Sequence, residues 1–136
     1  MALVDAWFAD KQLEGKTVLV VDDTLDNLIL IEAYLRSSGV TIETASNGIE
    51  ALDKIKSKRF DLVVMDIQMP NLDGIEVTTI LRMRGFEKPI IACTAFGDGG
   101  ALLGEGSEFN AYLAKPLTRT NLLDCLTKLI EPSRND

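Results

Sequence analysis

The chain has 136 residues, the size of one ordinary domain with a single core, and its hydrophobic share of 46% and charged share of 26% are those of a globular protein. A formal net charge of −7 and a pI near 4.6 argue against a nucleic-acid surface, which needs clustered Lys and Arg. The absence of histidine excludes a histidine kinase core, a histidine phosphotransfer module, a Ser-His-Asp triad and a His-based zinc site. Any metal must then bind through oxygen, which favours Mg²⁺ or a similar hard ion such as Mn²⁺.

No apolar run approaches the roughly 18 residues of a membrane helix, and the N-terminus lacks the basic-then-apolar order of a signal peptide. Cys93 and Cys125 show no metal spacing and read as small buried hydrophobes, which fits a reducing cytoplasm.

Residues 1–15, with Trp7 and Phe8, read as a lead-in, either a short helix packed on the domain or the approach from a larger protein. The domain itself is expected over 16–131, with a short tail over 132–136. Val18–Val21 is continuously apolar, as a strand covered on both faces is. Thr24 is placed to cap the helix that follows, with Leu28, Ile31 and Leu35 on its inner face and Gly39 as its stop.

Thr41-Ile42-Glu43-Thr44-Ala45 alternates, which suits an edge strand with one wetter face. Asn47-Gly48 opens a helix with Ile49, Leu52 and Ile55 inward. Leu62–Met65 is the next apolar strand, and Asp73-Gly74 precedes a helix with Val77, Ile80 and Leu81 inward. Ile90–Cys93 and Ala111–Ala114 are the last two strands, and Thr118 caps a final helix with Leu122, Leu126 and Leu129 inward.

Between those two strands Gly97, Gly99, Gly100, Gly104 and Gly106 crowd one stretch. Each interior glycine costs a helix about 1 kcal/mol relative to alanine. Residues 97–106 are therefore expected to form at most a turn or two of helix. The stretch lacks the Gly-Lys-Ser/Thr ending of a phosphate-binding loop.

Strand–helix alternation five times over means a parallel sheet with right-handed crossovers. With the alternating second strand at an edge, the order is 2-1-3-4-5, a flavodoxin-like doubly wound α/β fold with helices on both faces. Its ligand site lies at the carboxyl ends of the strands. Those ends carry Asp22 and Asp23, Asp66, Thr94, and Lys115-Pro116. Three carboxylates, a hydroxyl and an ammonium would converge there. Clustered carboxylates repel one another, and a divalent cation relieves that repulsion. Asp23 and Asp66 are the expected direct ligands, with Asp22 acting through water. Asp66 is then placed as the nucleophile of a phosphoryl transfer, with Lys115 and Thr94 on two phosphoryl oxygens.

Val20-Val21-Asp22-Asp23, Val64-Met65-Asp66-Ile67-Gln68-Met69-Pro70 with Asp73-Gly74, Cys93-Thr94-Ala95 and Leu113-Ala114-Lys115-Pro116 together resemble the receiver domain of two-component response regulators, from Thr17 to about Leu129. The resemblance implies phosphorylation of Asp66 by a partner phosphohistidine, carried by a histidine kinase or a histidine phosphotransfer protein. It implies no conventional enzyme activity beyond the domain's own phosphorylation and dephosphorylation. It also implies that the Gln68 backbone carbonyl is a cation ligand, that Lys115-Pro116 is cis, and that Thr94 and Tyr112 form a switch. The readout face would combine the segment after the fourth strand, the fifth strand and the last helix. Leu13-Glu14-Gly15-Lys16 and Asp66–Pro70 are similar to receivers attached to hybrid histidine kinases.

Single residues carry blander readings. Asp22-Asp23 is also a capping pair, Lys115 a surface ion-pair partner, Thr94 a cap, and Tyr112 an aromatic half-buried on an edge strand. At the level of function, a pseudo-receiver on the same fold and an aspartyl-nucleophile hydrolase of the haloacid dehalogenase type stand as alternatives. The latter wants Asp-x-Asp after the first strand and a cap domain, whereas these acids are adjacent. Thr24 stands where many receivers have Asn, and Glu108 about where a glycine is common.

Overall fold

The computed structural model describes residues 13–95 and 107–130. The expectation of a weakened helix over 97–106, most of the lead-in, and the tail lie outside the described residues. Five parallel strands form one sheet: β1 (Thr17–Val21), β2 (Thr41–Ala45), β3 (Leu62–Asp66), β4 (Ile90–Thr94) and β5 (Ala111–Ala114). Their order is β2-β1-β3-β4-β5, the flavodoxin-like arrangement expected from the sequence. The alternating strand Thr41–Ala45 is at one edge. Ala111–Ala114 reads as a covered strand in sequence but forms the other edge, half-buried and exposed at Ala114.

Four α-helices lie among the described residues: α1 (Leu25–Leu35), α2 (Gly48–Ser57), α3 (Gly74–Met83) and α4 (Arg119–Leu129). None of them is long and apolar enough to cross a membrane. They cover the sheet on two faces because successive strand side chains point to opposite sides. Val18, Val20, Leu62, Val64, Ile91 and Cys93 pack with α1 and α4. Leu19, Val21, Val63, Met65, Ile90 and Ala92 pack with α2 and α3. The three middle strands are buried almost throughout, which explains their continuous apolar sequences.

The helix starts follow the local chemistry, with one departure. Asn47 accepts a hydrogen bond from Glu50 N–H, and Thr118 accepts one from Asn121 N–H. Asp73 and Glu76 form a reciprocal capping box at α3. Thr24 occupies the N-cap of α1 but makes no side-chain cap bond. Its own N–H is instead taken by Asp22 Oδ1 at 2.9 Å. At the other end, a 3₁₀ turn over Arg36–Ser38 runs into Gly39, whose φ of 84° closes the helix in the left-handed region.

One inward face is corrected. Ile49 was expected to face the core and is 61% exposed. Gly48, Ala51 and Leu52 hold the buried side of α2 instead. The cause is close approach: a Cβ on Gly48 would lie 2.6 Å from Val77 Cγ2, so α2 presents this glycine to α3 and turns Ile49 outward.

Candidate functional site

The carboxyl ends of β1, β3, β4 and β5 meet in one crevice. Asp66 is the last residue of β3, and Asp22 directly follows β1; both side chains are buried, each residue 2% exposed. Asp23 is exposed. Carboxylate oxygens of the three lie within 4.8 Å of one another. Thr94 ends β4 and is 4% exposed. Lys115 follows β5, and its N–H donates to the Thr94 carbonyl at 2.8 Å. Its Nζ reaches Asp66 Oδ1 at 3.1 Å and Asp22 Oδ2 at 3.3 Å.

Supporting contacts hold these groups in place. The Gln68 N–H donates to Asp66 Oδ1 at 3.2 Å. Asn27, in the first turn of α1, donates from Nδ2 to Asp22 Oδ2 at 3.2 Å. Sequence reasoning did not single out Asn27. Its signal is the spacing: a carboxylate before a helix and an amide one turn inside it. Gly74, named in the sequence with Asp73, has a further role at the site. A Cβ there would sit 2.2 Å from the Asp66 carbonyl oxygen and 2.9 Å from Met65 Cγ. Only glycine lets α3 begin this close to the end of β3.

The electrostatics follow from burial. Burial pushes the Asp66 carboxyl above the usual carboxylate range, and Asp22 pushes it further; Lys115 and the Gln68 N–H oppose this without cancelling it. For Lys115, burial acts to lower the pKa, but Asp66 and Asp22 outweigh it, so the ammonium is held above its ordinary value. The Cys93 thiol is buried and pushed well up, which leaves it unreactive. Both cysteines are free, Cys93 buried and Cys125 only partly so.

Among the described residues three carboxylates face one ammonium, so the crevice holds more negative than positive charge. All its donors are oxygens. That set fits a hard divalent cation of the Mg²⁺ type. The remaining expected residues are placed as follows. Gln68 lies two residues past Asp66, with its backbone N–H already turned to that carboxylate. Lys115-Pro116 is cis. Tyr112 sits half-buried on β5, opposite Ala92 of β4. A cavity of about 330 Å³ opens beside Asp22 and Lys115, walled by Leu30, Ile31, Pro116 and Leu117.

The profile of the response regulator receiver domain matches residues 18–127. The chain belongs to this family. Receiver domains are signalling domains of two-component systems, not conventional enzymes. This receiver domain is 40% identical over 120 residues to hybrid signal transduction histidine kinase E of Dictyostelium discoideum, covering 83% of this chain and 7% of that protein. It is 39% identical over 121 residues to transcription factor SKN7 of Saccharomyces cerevisiae, covering 87% of this chain and 19% of the relative. The chain thus spans a small part of the relatives it matches. Among solved structures, response regulator TrrA from Thermotoga maritima, in complex with Mg²⁺-BeF, aligns with a TM-score of 0.77 and 35% identity. That alignment covers 85% of this chain and 99% of TrrA. Chemotaxis response regulator CheY4 of Vibrio cholerae aligns with a TM-score of 0.78 and 30% identity, covering 85% and 98%.

Proposed function

We propose that this receiver accepts a phosphoryl group on Asp66 from a phosphohistidine of a histidine kinase or histidine phosphotransfer protein, and that the phosphorylated state changes its interaction surface. The observation that carries this is the burial of Asp66 against Lys115 and Asp22 at the end of β3, with Thr94 ending the neighbouring strand. An Asp66 carboxylate oxygen attacks phosphorus, the phosphorus–nitrogen bond breaks, and the imidazole leaves with the electron pair. Lys115, released from the carboxylate, neutralises one phosphoryl oxygen as a point charge. The Thr94 hydroxyl donates to another. Asn27 and the Thr24 N–H keep Asp22 oriented throughout.

Asp22, Asp23, Asp66 and the backbone carbonyl of Gln68 would hold Mg²⁺ or Mn²⁺, which supplies charge neutralisation for the phosphoryl oxygens. Thr94 and Tyr112 would form the switch, read out on β5 and α4. The free cysteines support a reducing, cytoplasmic setting, and the hybrid-kinase relative supports a place in a phosphorelay.

Incubation with acetyl phosphate and Mg²⁺ tests the reading directly. Wild type is expected to gain one hydroxylamine- and alkali-labile phosphoryl group, detected by intact mass, and Asp66→Asn to gain none. Labelling of the Asn variant at the wild-type level would remove Asp66 from the role. A wild type that takes up neither phosphoryl nor beryllofluoride would make the chain a binding module only.

A further inference from the structure

The pole opposite the acidic crevice has the opposite chemistry. There two cavities, of about 440 and 320 Å³, meet at Ile55, Gly85 and Phe86. They open at the C-terminal ends of α2 and α3, beside Phe60 before β3 and Lys88 before β4. The floor of the larger one is Leu52, Ile55, Leu81 and Phe86. Lys56 and Arg84 rim it, and Lys58, Arg59 and Lys88 rim the smaller one.

All five rim cations are exposed, and five of the chain's 14 Lys and Arg therefore face one groove; among the described residues Glu87 is the acid that lines it, and Glu43 stands beside Lys58. Lys58 pairs with Glu43 at 2.8 Å; among the described residues Lys56, Arg59, Arg84 and Lys88 have no ion pair. Helix dipoles account for part of the pattern, since Lys56 is in the last turn of α2 and Arg84 caps α3. They do not account for Arg59 or Lys88, which lie in loops, nor for an open apolar floor between the cations. Gly85 leaves the groove accessible at the junction, where an added Cβ would meet nothing within 4 Å.

We propose that this groove docks an acidic segment of a partner protein that carries one aromatic or aliphatic anchor. The anchor sits between Ile55 and Phe86, with carboxylates reaching Lys56 and Arg84 to one side and Arg59 and Lys88 to the other. The chain as a whole carries −7, so the surface outside the groove is more acidic still and repels such a segment. Charge thus selects the groove, and the apolar floor supplies the burial that charge alone lacks at an exposed site.

A fluorescein-labelled peptide of Glu and Asp around one central Trp serves as the probe. Saturable binding to the full chain is expected by anisotropy, weakening as NaCl rises. Backbone amide shifts should concentrate on residues 52–60 and 81–88. Charge reversal in Lys56→Glu with Arg84→Glu, and separately in Lys88→Glu, should weaken binding about tenfold or more, as should replacing the probe's Trp by Ser. These variants alter exposed side chains, and acetyl phosphate labelling of Asp66 should be unchanged in them. The proposal is overturned by an absence of saturable binding, by shifts centred elsewhere, or by reversal variants that bind as wild type does. It is equally overturned if the Trp-free probe binds as well, if duplex DNA binds the groove more tightly than the peptide, or if a second copy of this chain occupies it in sedimentation.

Discussion

Nζ of Lys115 lies 3.1 Å from Oδ1 of Asp66, a buried carboxylate 49 residues away in sequence. The same Nζ holds Asp22 at 3.3 Å. Two buried acids thus share one cation, and the pH response of the fold follows from that arrangement.

Asp66 binds its proton more tightly in the folded chain than in the unfolded one, because burial and Asp22 raise its pKa. The stability associated with its protonated form is present at low pH and is lost as pH rises through the folded value. At pH 7 the ionised Asp66 therefore opposes folding, and Asp66→Asn should relieve this. In a chelator such as EDTA, the Asn variant is expected to be more stable than wild type by on the order of 1 kcal/mol at pH 7. Urea unfolding at a series of pH values checks it: the gap should shrink as pH falls through the carboxylate range. Lys115 carries the same sign at higher pH. Its raised pKa means its contribution is present below the ordinary lysine value and is lost as pH rises through the folded one.

A divalent cation should reverse the first effect. Binding to the folded state alone stabilises by mass action, about 2.7 kcal/mol at roughly a hundred times the dissociation constant. Asp23, the exposed member of the carboxylate cluster, can be removed without opening the core. Asp23→Ala should lose most of the Mg²⁺-dependent rise in melting temperature while melting like wild type in EDTA. Identical Mg²⁺ responses in the two proteins would contradict the assignment.

Gly74→Ala should damage the site through the backbone. Its Cβ would fall 2.2 Å from the Asp66 carbonyl oxygen, so either α3 or the end of β3 must move. Overpacking of this kind costs about 1–3 kcal/mol, and contact with rigid backbone puts this case at the upper end. Denaturant unfolding should show the loss, and acetyl phosphate labelling of the variant should be slower even where it remains folded.

Arg82 is a structural hub far from the crevice. Its guanidinium donates to the carbonyls of Glu108, Phe86 and Lys88 and to Asn110 Oδ1, at 3.0, 2.8, 2.8 and 2.8 Å. Arg82→Ala should destabilise by about 2 kcal/mol or more, since four charged hydrogen bonds, two of them partly buried, are lost together. Glu108→Ala keeps the backbone acceptor and loses the bond from Thr79 Oγ1 and the attraction of its carboxylate for Arg82, so it should cost less, about 1 kcal/mol. Thermal melts of the two variants should rank in that order, with Asp66 labelling retained in both.

The five strands, their order and the strand-end residues Asp22, Asp66, Thr94 and Lys115 were all legible in the sequence. Backbone pleating and helical pitch are local, so apolar runs, an alternating edge strand and cap residues such as Asn47, Asp73 and Thr118 report them directly. In a parallel sheet, residues at strand ends fall at one edge whatever the helices do between them. What the tertiary structure decided depends on contacts distant in the chain. Periodicity placed Ile49 inward, but the rotation of α2 is set by Gly48 meeting Val77. Thr24 reads as a capping hydroxyl, but Asp22, buried by its neighbours, takes the Thr24 N–H instead. Arg82 becomes a hub of α3 because the segment before β5 returns its carbonyl and amide oxygens to it. The basic groove exists only because α2 and the turn after α3 end side by side. Sequence states which face an element offers; packing alone states what that face meets, because the meeting depends on rotations and distances that no local pattern encodes.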